Sequence, residues 1–401
     1  MKVNWGLGIL LVEGLRYPVD TLYQKQQTLD KFRFSSLSPR PKVPRKLGIN
    51  PNVTSPGAKF EFSLESNEHP SRVSQLVTAL QVAGGFIENA LNLTNKIVVK
   101  ACFKSNCSAF KNLEDKRINL GVCNPKTKVE YLSAGEPIIF PYALLNQNRT
   151  RENDFDMTLS IQPRDDIVMP VDYGGHKNNS KFDVVEVIVH ELLHGMGISS
   201  YINGIVTGIV SYTGPLFKIE NNDSFSSIDF EKGIFDKYLY SGGKSMHNIV
   251  KSMSRNVPPR EAYDYIMKIP NMPELNQIEE FCTGKSPVYF LTTSKKVVYI
   301  LANKNESSLD HLSNIAYRTS LDHVMTPLSV PYAYVILNNP FAQDWLTAPL
   351  GSNTIDILET LGYQKNPSPQ RNISQIALYE EMRKYNFKPG DQEFKYTPGF
   401  N

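Results

Sequence analysis

The stretch that decides the reading of this chain is DVVEVIVHELLHGMG, Asp183 to Gly197. Five β-branched residues, Val184, Val185, Val187, Ile188 and Val189, run into two histidines spaced four apart, and two glycines follow. Residues i and i+4 of an α-helix share one face, so His190 and His194 present two imidazoles in one direction. Neutral imidazole is a preferred ligand of Zn²⁺. Glu191 stands off that face, where a carboxylate can reach a water held in an open position of the metal, as a general base does. The apolar run predicts a deeply buried helix starting near Phe182, stopped by Gly195 and Gly197 directly after the second histidine. A bare HExxH also arises by chance on exposed helices; here the apolar surroundings argue for a metal site.

A catalytic zinc takes three protein ligands. In the compact pattern HExxHxxGxxH the third histidine follows the second by six residues. That position is Ser200, although Gly197 matches the glycine. Further on, SSLDHLSNIAYRTSLDHVMTPLSVPY carries His311, His323 and Met325. Each histidine offers a third ligand, His323 lying two residues before Met325.

With these residues in place the chain resembles the leishmanolysin-like branch of the metzincin zinc peptidases. Four ordered elements carry the resemblance: HExxHxxG from His190 to Gly197, Asp310-His311-Leu312, Val324-Met325-Thr326-Pro327, and ILETLGY from Ile357 to Tyr363. It covers roughly residues 58–364 and is firmest from about 180 onward. It implies His190, His194 and His311 as ligands of one Zn²⁺ per chain, Glu191 as the catalytic base, and Gly197 and Met325 as supports of the site. Met325 would form a hydrophobic floor. The implied fold is α+β and metzincin-like: an N-terminal mixed sheet with two helices, an active-site cleft and an irregular C-terminal subdomain. The implied activity is hydrolysis of protein or peptide substrates, in a divergent and cysteine-poor member of the branch. Two other readings stand beside it: a non-catalytic, zinc-stabilised surface protein, and a gluzincin-type peptidase with a glutamate as third ligand. Asp310 and Asp322 are candidates to orient a ligating imidazole. His69 reads as a helix-entry residue, and His176 and His247 as surface or polar-contact histidines.

N-terminal to the motif, KFEFSL alternates with Phe60, Phe62 and Leu64 on one face, a strand. Val73, Leu76, Val77, Leu80, Ala83, Ile87 and Leu91 keep helical spacing. KIVVKAC and the alternation at Phe155, Met157, Leu159 and Ile161 add strands. Tyr289–Leu291 and Val297–Leu301 read as a hairpin, 353–361 as a helix stopped by Gly362, and 374–384 as a further helix. The expected organisation is an irregular arm or removable segment at 1–57, a sheet-and-helix part at 58–200 with the motif, a second part at 201–364 with the third histidine and Met325, and a polar tail at 365–401.

Forty-three basic against forty acidic residues give a net charge of +3, which offers no field for nucleic acid. No apolar stretch reaches the ~18–20 residues of a membrane span. Residues 1–12, MKVNWGLGILLV, resemble a short secretory signal. Cys102, Cys107, Cys123 and Cys282 are compatible with two disulfides, and eight N-x-S/T sequons include Asn92 and Asn148. Together these place the chain outside the cell or on its surface.

Overall fold

The alternation in KFEFSL becomes strand β2 (Phe60–Ser66), with Phe60, Phe62 and Leu64 buried on one face. Each such side chain contributes about 1.5–3 kcal/mol by leaving water. The structure is a computed structural model. It describes residues 52–53, 58–104, 107, 120–132, 136–164, 167–168, 182–201, 217–221, 225–230, 232–268, 272–274, 277, 287–301, 309–317, 320–327, 347 and 349–369. The signal-like residues 1–12, His176, Cys282 and the helix expected at 374–384 lie outside the described residues.

The chain divides into two compact units that interleave in sequence. One takes Gly48–Lys128, Pro141–Ile198 and Leu312–Asn401; the other takes Val129–Phe140 and Ser199–His311. The division differs from the one expected at residue 200. The chain returns to the first unit after His311, where the Leu312 N–H donates to the Met325 carbonyl and Leu312, Val324 and Met325 are buried.

In that first unit the two-residue strand β1 (Asn52–Val53) pairs antiparallel with β2, inside a segment expected to be irregular. Strand β3 (Ile97–Phe103) runs parallel to β2, and β5 (Met157–Ile161) parallel to β3. Strand β4 (Gly121–Pro125) closes the edge antiparallel to β5, giving the order β1-β2-β3-β5-β4. Helix α1 (Pro70–Ala90) starts where His69 accepts the Ser71 N–H through Nδ1, with proline in its first turn. Its Gly84 permits close approach to the sheet, since a Cβ there would come 3.0 Å from Phe60 Cβ. Helix α2 (Val184–Gly195) carries the motif. Helix α3 (Ser352–Leu361) ends at Gly362, whose φ of +123° suits glycine.

The second unit was expected to be irregular, but it holds two small antiparallel sheets. One has three strands, Phe217–Asn221, Ser226–Phe230 and Arg255–Val257. The other contains the expected hairpin, Val288–Leu291 with Val297–Leu301, and Leu239–Ser241 pairs beside it. Phe230, Phe235 and Phe290 are buried there. The fold is thus mixed α+β. No helix among the described residues is long and apolar enough to cross a membrane.

The expectation of two disulfides is corrected. Cys102 and Cys107 form one, and Cys123 is a free, buried thiol. Cys123 sits on β4 facing Gly195 of the motif helix, where packing rather than pairing occupies it.

Candidate metal centre

Helix α2 begins with Asp183, whose carboxylate accepts the Val185 N–H at 2.7 Å. It ends in a Schellman turn: Gly197 N–H reaches the His194 carbonyl and Ile198 N–H the Leu193 carbonyl. That turn needs a left-handed residue, and Gly197 has φ +116°. The turn also aims the Ile198 carbonyl back at the helix, 2.7 Å from Nδ1 of His194. The glycine picked out by pattern therefore serves the second histidine through the backbone. Gly195 serves by its lack of a side chain: a Cβ there would lie 2.6 Å from Cys123 Sγ and still nearer Met157 Sδ. Only glycine lets α2 lie this close to β4 and β5.

His190 faces a different carbonyl. Its Nδ1 is 2.5 Å from the Val324 oxygen, in the 3₁₀ turn Leu321–Met325. A carbonyl oxygen only accepts, so each Nδ1 carries the ring proton and each Nε2 presents a lone pair. Those two Nε2 atoms stand 3.1 Å apart. Burial first, then the nearby His194 ring, pushes His190 down to about 3, and the Val324 carbonyl only partly opposes this. Burial also lowers His194. Both rings stay neutral at ordinary pH, and two lone pairs point into one space.

His311 completes the group. One nitrogen from each of His190, His194 and His311 lies within 4.8 Å of the others, a cluster that could hold a metal ion. Each residue is partly exposed, as a site open to an incoming ligand requires. The first two donors are spaced as two ligands of one ion would be: two nitrogens at ~2.0–2.1 Å from a tetrahedral centre are ~3.3 Å apart, and theirs are 3.1 Å apart. The chain approaching His311 is held within its own unit. The Asp310 carboxylate accepts the Ser200 N–H, and the Ser200 hydroxyl donates to Asp236 at 2.6 Å. Asp236, fully buried, also accepts the N–H groups of Tyr201 and Gly233. Ser200, where the compact pattern would have its histidine, is thus bound to the residue preceding His311. Nothing in the spacing marked Asp236 for this.

Glu191 is buried under β4. Gly121 makes room for it, since a Cβ there would come 2.8 Å from Glu191 Cγ. Burial pushes its carboxyl up to about 8, against a hydrogen bond from the Cys123 backbone that works the other way.

The remaining sequence candidates fall elsewhere. His323 is outside the cluster and meets Glu186 Oε1 at 2.5 Å through Nε2. Asp322 does not orient an imidazole; it accepts the Thr354 N–H at 2.8 Å and the Asn353 side chain at 2.8 Å, at the start of α3. Of the two roles expected for His247 the structure shows the polar contact: it is buried, with Nε2 3.0 Å from Glu136 Oε1. Met325 is fully buried. Tyr363, in the Leu-Gly-aromatic step, donates its hydroxyl to the Met196 carbonyl at 3.0 Å, a link between α3 and the motif that its spacing did not announce. A polar depression of about 700 Å³, lined by Asn95, Lys96, Arg149 and Arg151 among others, shares no residue with the histidine cluster.

Residues 45–380 match the SPBPB7E8-like family, and the chain belongs to that family. No curated protein matches it, and no solved structure does.

Proposed function

We propose that the chain is a zinc-dependent metalloendopeptidase of leishmanolysin-like, metzincin type, with His190, His194 and His311 as ligands and Glu191 as general base. The observation that supports it best is the meeting of the His190 and His194 Nε2 atoms at 3.1 Å, each Nδ1 facing a backbone carbonyl, in one cluster with His311. When bound, zinc would supply Lewis acidity and lower the pKa of a coordinated water from ~15.7 toward ~7. The chain's own residues do the rest. The two carbonyls fix each imidazole in the tautomer that ligates. Glu191, in its carboxylate form, takes a proton from the attacking water on a side-chain oxygen and returns it to the leaving amine; a cation beside it would favour that charged form against the burial that raises its pKa. Gly121 and the Cys123 N–H keep that carboxylate on the β4 side of the helix.

An oxidising, extracellular setting accords with the Cys102–Cys107 disulfide and with the exposed sequon residues Asn92 and Asn148. Protein or peptide substrates are proposed from the same reading.

The test is metal content and casein hydrolysis of the purified chain, Glu191→Ala and His311→Ala. Wild type should hold one zinc and cleave, Glu191→Ala should keep zinc and lose cleavage, and His311→Ala should lose both. Zinc without cleavage in wild type favours the non-catalytic, zinc-stabilised protein. Full zinc and activity in His311→Ala removes the leishmanolysin-like assignment.

A further inference from the structure

We infer that Glu186 and His323 are positioning residues that hold the Val324 carbonyl against His190, an inference that rests on the proposed metal site and concerns how its first ligand is set. Glu186 lies on α2 one turn before His190, with 5% of its side chain exposed, and His323 opposite it is wholly buried. Their contact, Oε1 to Nε2 at 2.5 Å, is close but misses hydrogen-bond alignment. Neither residue belongs to the histidine cluster. Two ionisable side chains inside a fold are seldom worth more than an apolar pair of the same volume. Stability alone gives this pair no reason to be there.

Its place in the structure supplies one. The His323 ring is fixed on its other side, with Nδ1 3.2 Å from the Ser320 carbonyl. The next residue, Val324, turns its own carbonyl to Nδ1 of His190. The path therefore closes on itself: Glu186, one turn of α2, His190, the Val324 carbonyl, His323, and back to Glu186. Residues 186 and 190 share a helix face, and residues 323 and 324 are neighbours in one 3₁₀ turn. Two contacts one helical turn apart fix both the height and the rotation of that turn along α2. With the Glu186 contact gone, the turn keeps only the imidazole itself to register against. The carbonyl can then drift, and the ring can rotate away from the orientation that aims Nε2 at the metal. Partners one step behind a ligand typically govern affinity in this way.

The experiment compares wild type, Glu186→Gln, Glu186→Leu and Glu186→Leu/His323→Leu. Zinc affinity is measured by competition with a chelating dye. Unfolding midpoints and the imidazole Nδ1–H signal of His190 are measured on the metal-free proteins. Glu186→Gln keeps a polar contact to His323 and should stay within about threefold of wild-type affinity. The double variant refills the space with apolar atoms, so its unfolding midpoint should match or exceed that of Glu186→Leu. Its zinc affinity should nonetheless fall by about 10–100-fold, and its His190 Nδ1–H signal should be lost to fast exchange. A purely structural role predicts that affinity recovers with stability, and that result overturns the inference. So does a His190 Nδ1–H signal unchanged in the double variant, a readout that needs no metal. If wild type binds no zinc while the signal behaves as expected, the metal assignment fails and the latch on the imidazole stands.

Discussion

His190 and His194 hold their Nε2 atoms 3.1 Å apart while each Nδ1 is committed to a backbone carbonyl, that of Val324 for the first and of Ile198 for the second. The two carbonyls come from different places: a 3₁₀ turn more than a hundred residues away, and the turn that ends the helix itself. Burial keeps both rings neutral at ordinary pH.

Binding a cation there should therefore stabilise the fold. At zinc a thousandfold above its dissociation constant the gain is about 4 kcal/mol. Thermal unfolding with zinc and with excess chelator should differ by several degrees in wild type. His194→Ala should show one midpoint under both conditions; an equal zinc shift in that variant would count against the site.

Gly195→Ala places a methyl group against Cys123 Sγ and Met157 Sδ. Overpacking of this kind costs about 1–3 kcal/mol. Urea unfolding should show the lower midpoint with an unchanged slope. An unaltered midpoint would mean that α2 does not lie this close to β4 and β5.

The buried carboxyl of Glu191 gives the metal-free protein a pH signature. Its folded value of about 8 lies above its ordinary 4.5. Between those values the folded state holds a proton that the unfolded chain has released, so stability falls as pH rises through this window. Glu191→Gln has no such group. Its stability relative to wild type should rise from pH 5 to pH 8 in urea titrations, and a constant difference would contradict the burial argument.

Asp322→Ala tests a residue expected near the metal and found at a helix end. Gly351, the N-cap of α3, has no side chain to offer, and Asp322 accepts the Thr354 N–H and the Asn353 and Thr354 side chains in its stead. Burial raises the Asp322 carboxyl, and these three hydrogen bonds, with a fourth from the Asn353 N–H, offset it. Losing them should cost about 2 kcal/mol. Chemical denaturation gives the cost, and metal analysis should still find one zinc per chain; loss of zinc with an unchanged midpoint would restore Asp322 to the site.

Much of this was written locally. The i, i+4 histidines, the buried face of α2 and the glycine that ends it are properties of fifteen consecutive residues, because helical periodicity and turn stereochemistry act over a few residues. Strands β2 and β5 announced themselves by alternation for the same reason, β3 by its β-rich composition, and the hairpin by two strand-like runs flanking a short turn. Strand β4 did not: GVCNP gains its strand character only by pairing with β5. The interleaving of the two units was equally hidden, since nothing local says that Leu312 will bind Met325.

Two histidines on one helix face, and a carboxylate beside them, are legible along the chain alone. The tertiary structure decided between His311 and His323 as the third member of the cluster, and it gave Gly195, Asp236, Tyr363 and the Val324 carbonyl their tasks. The physical reason is range. Ligand spacing on one helix is fixed by covalent geometry, whereas the orientation of each imidazole depends on carbonyls and buried side chains that only the folded chain brings within hydrogen-bonding distance.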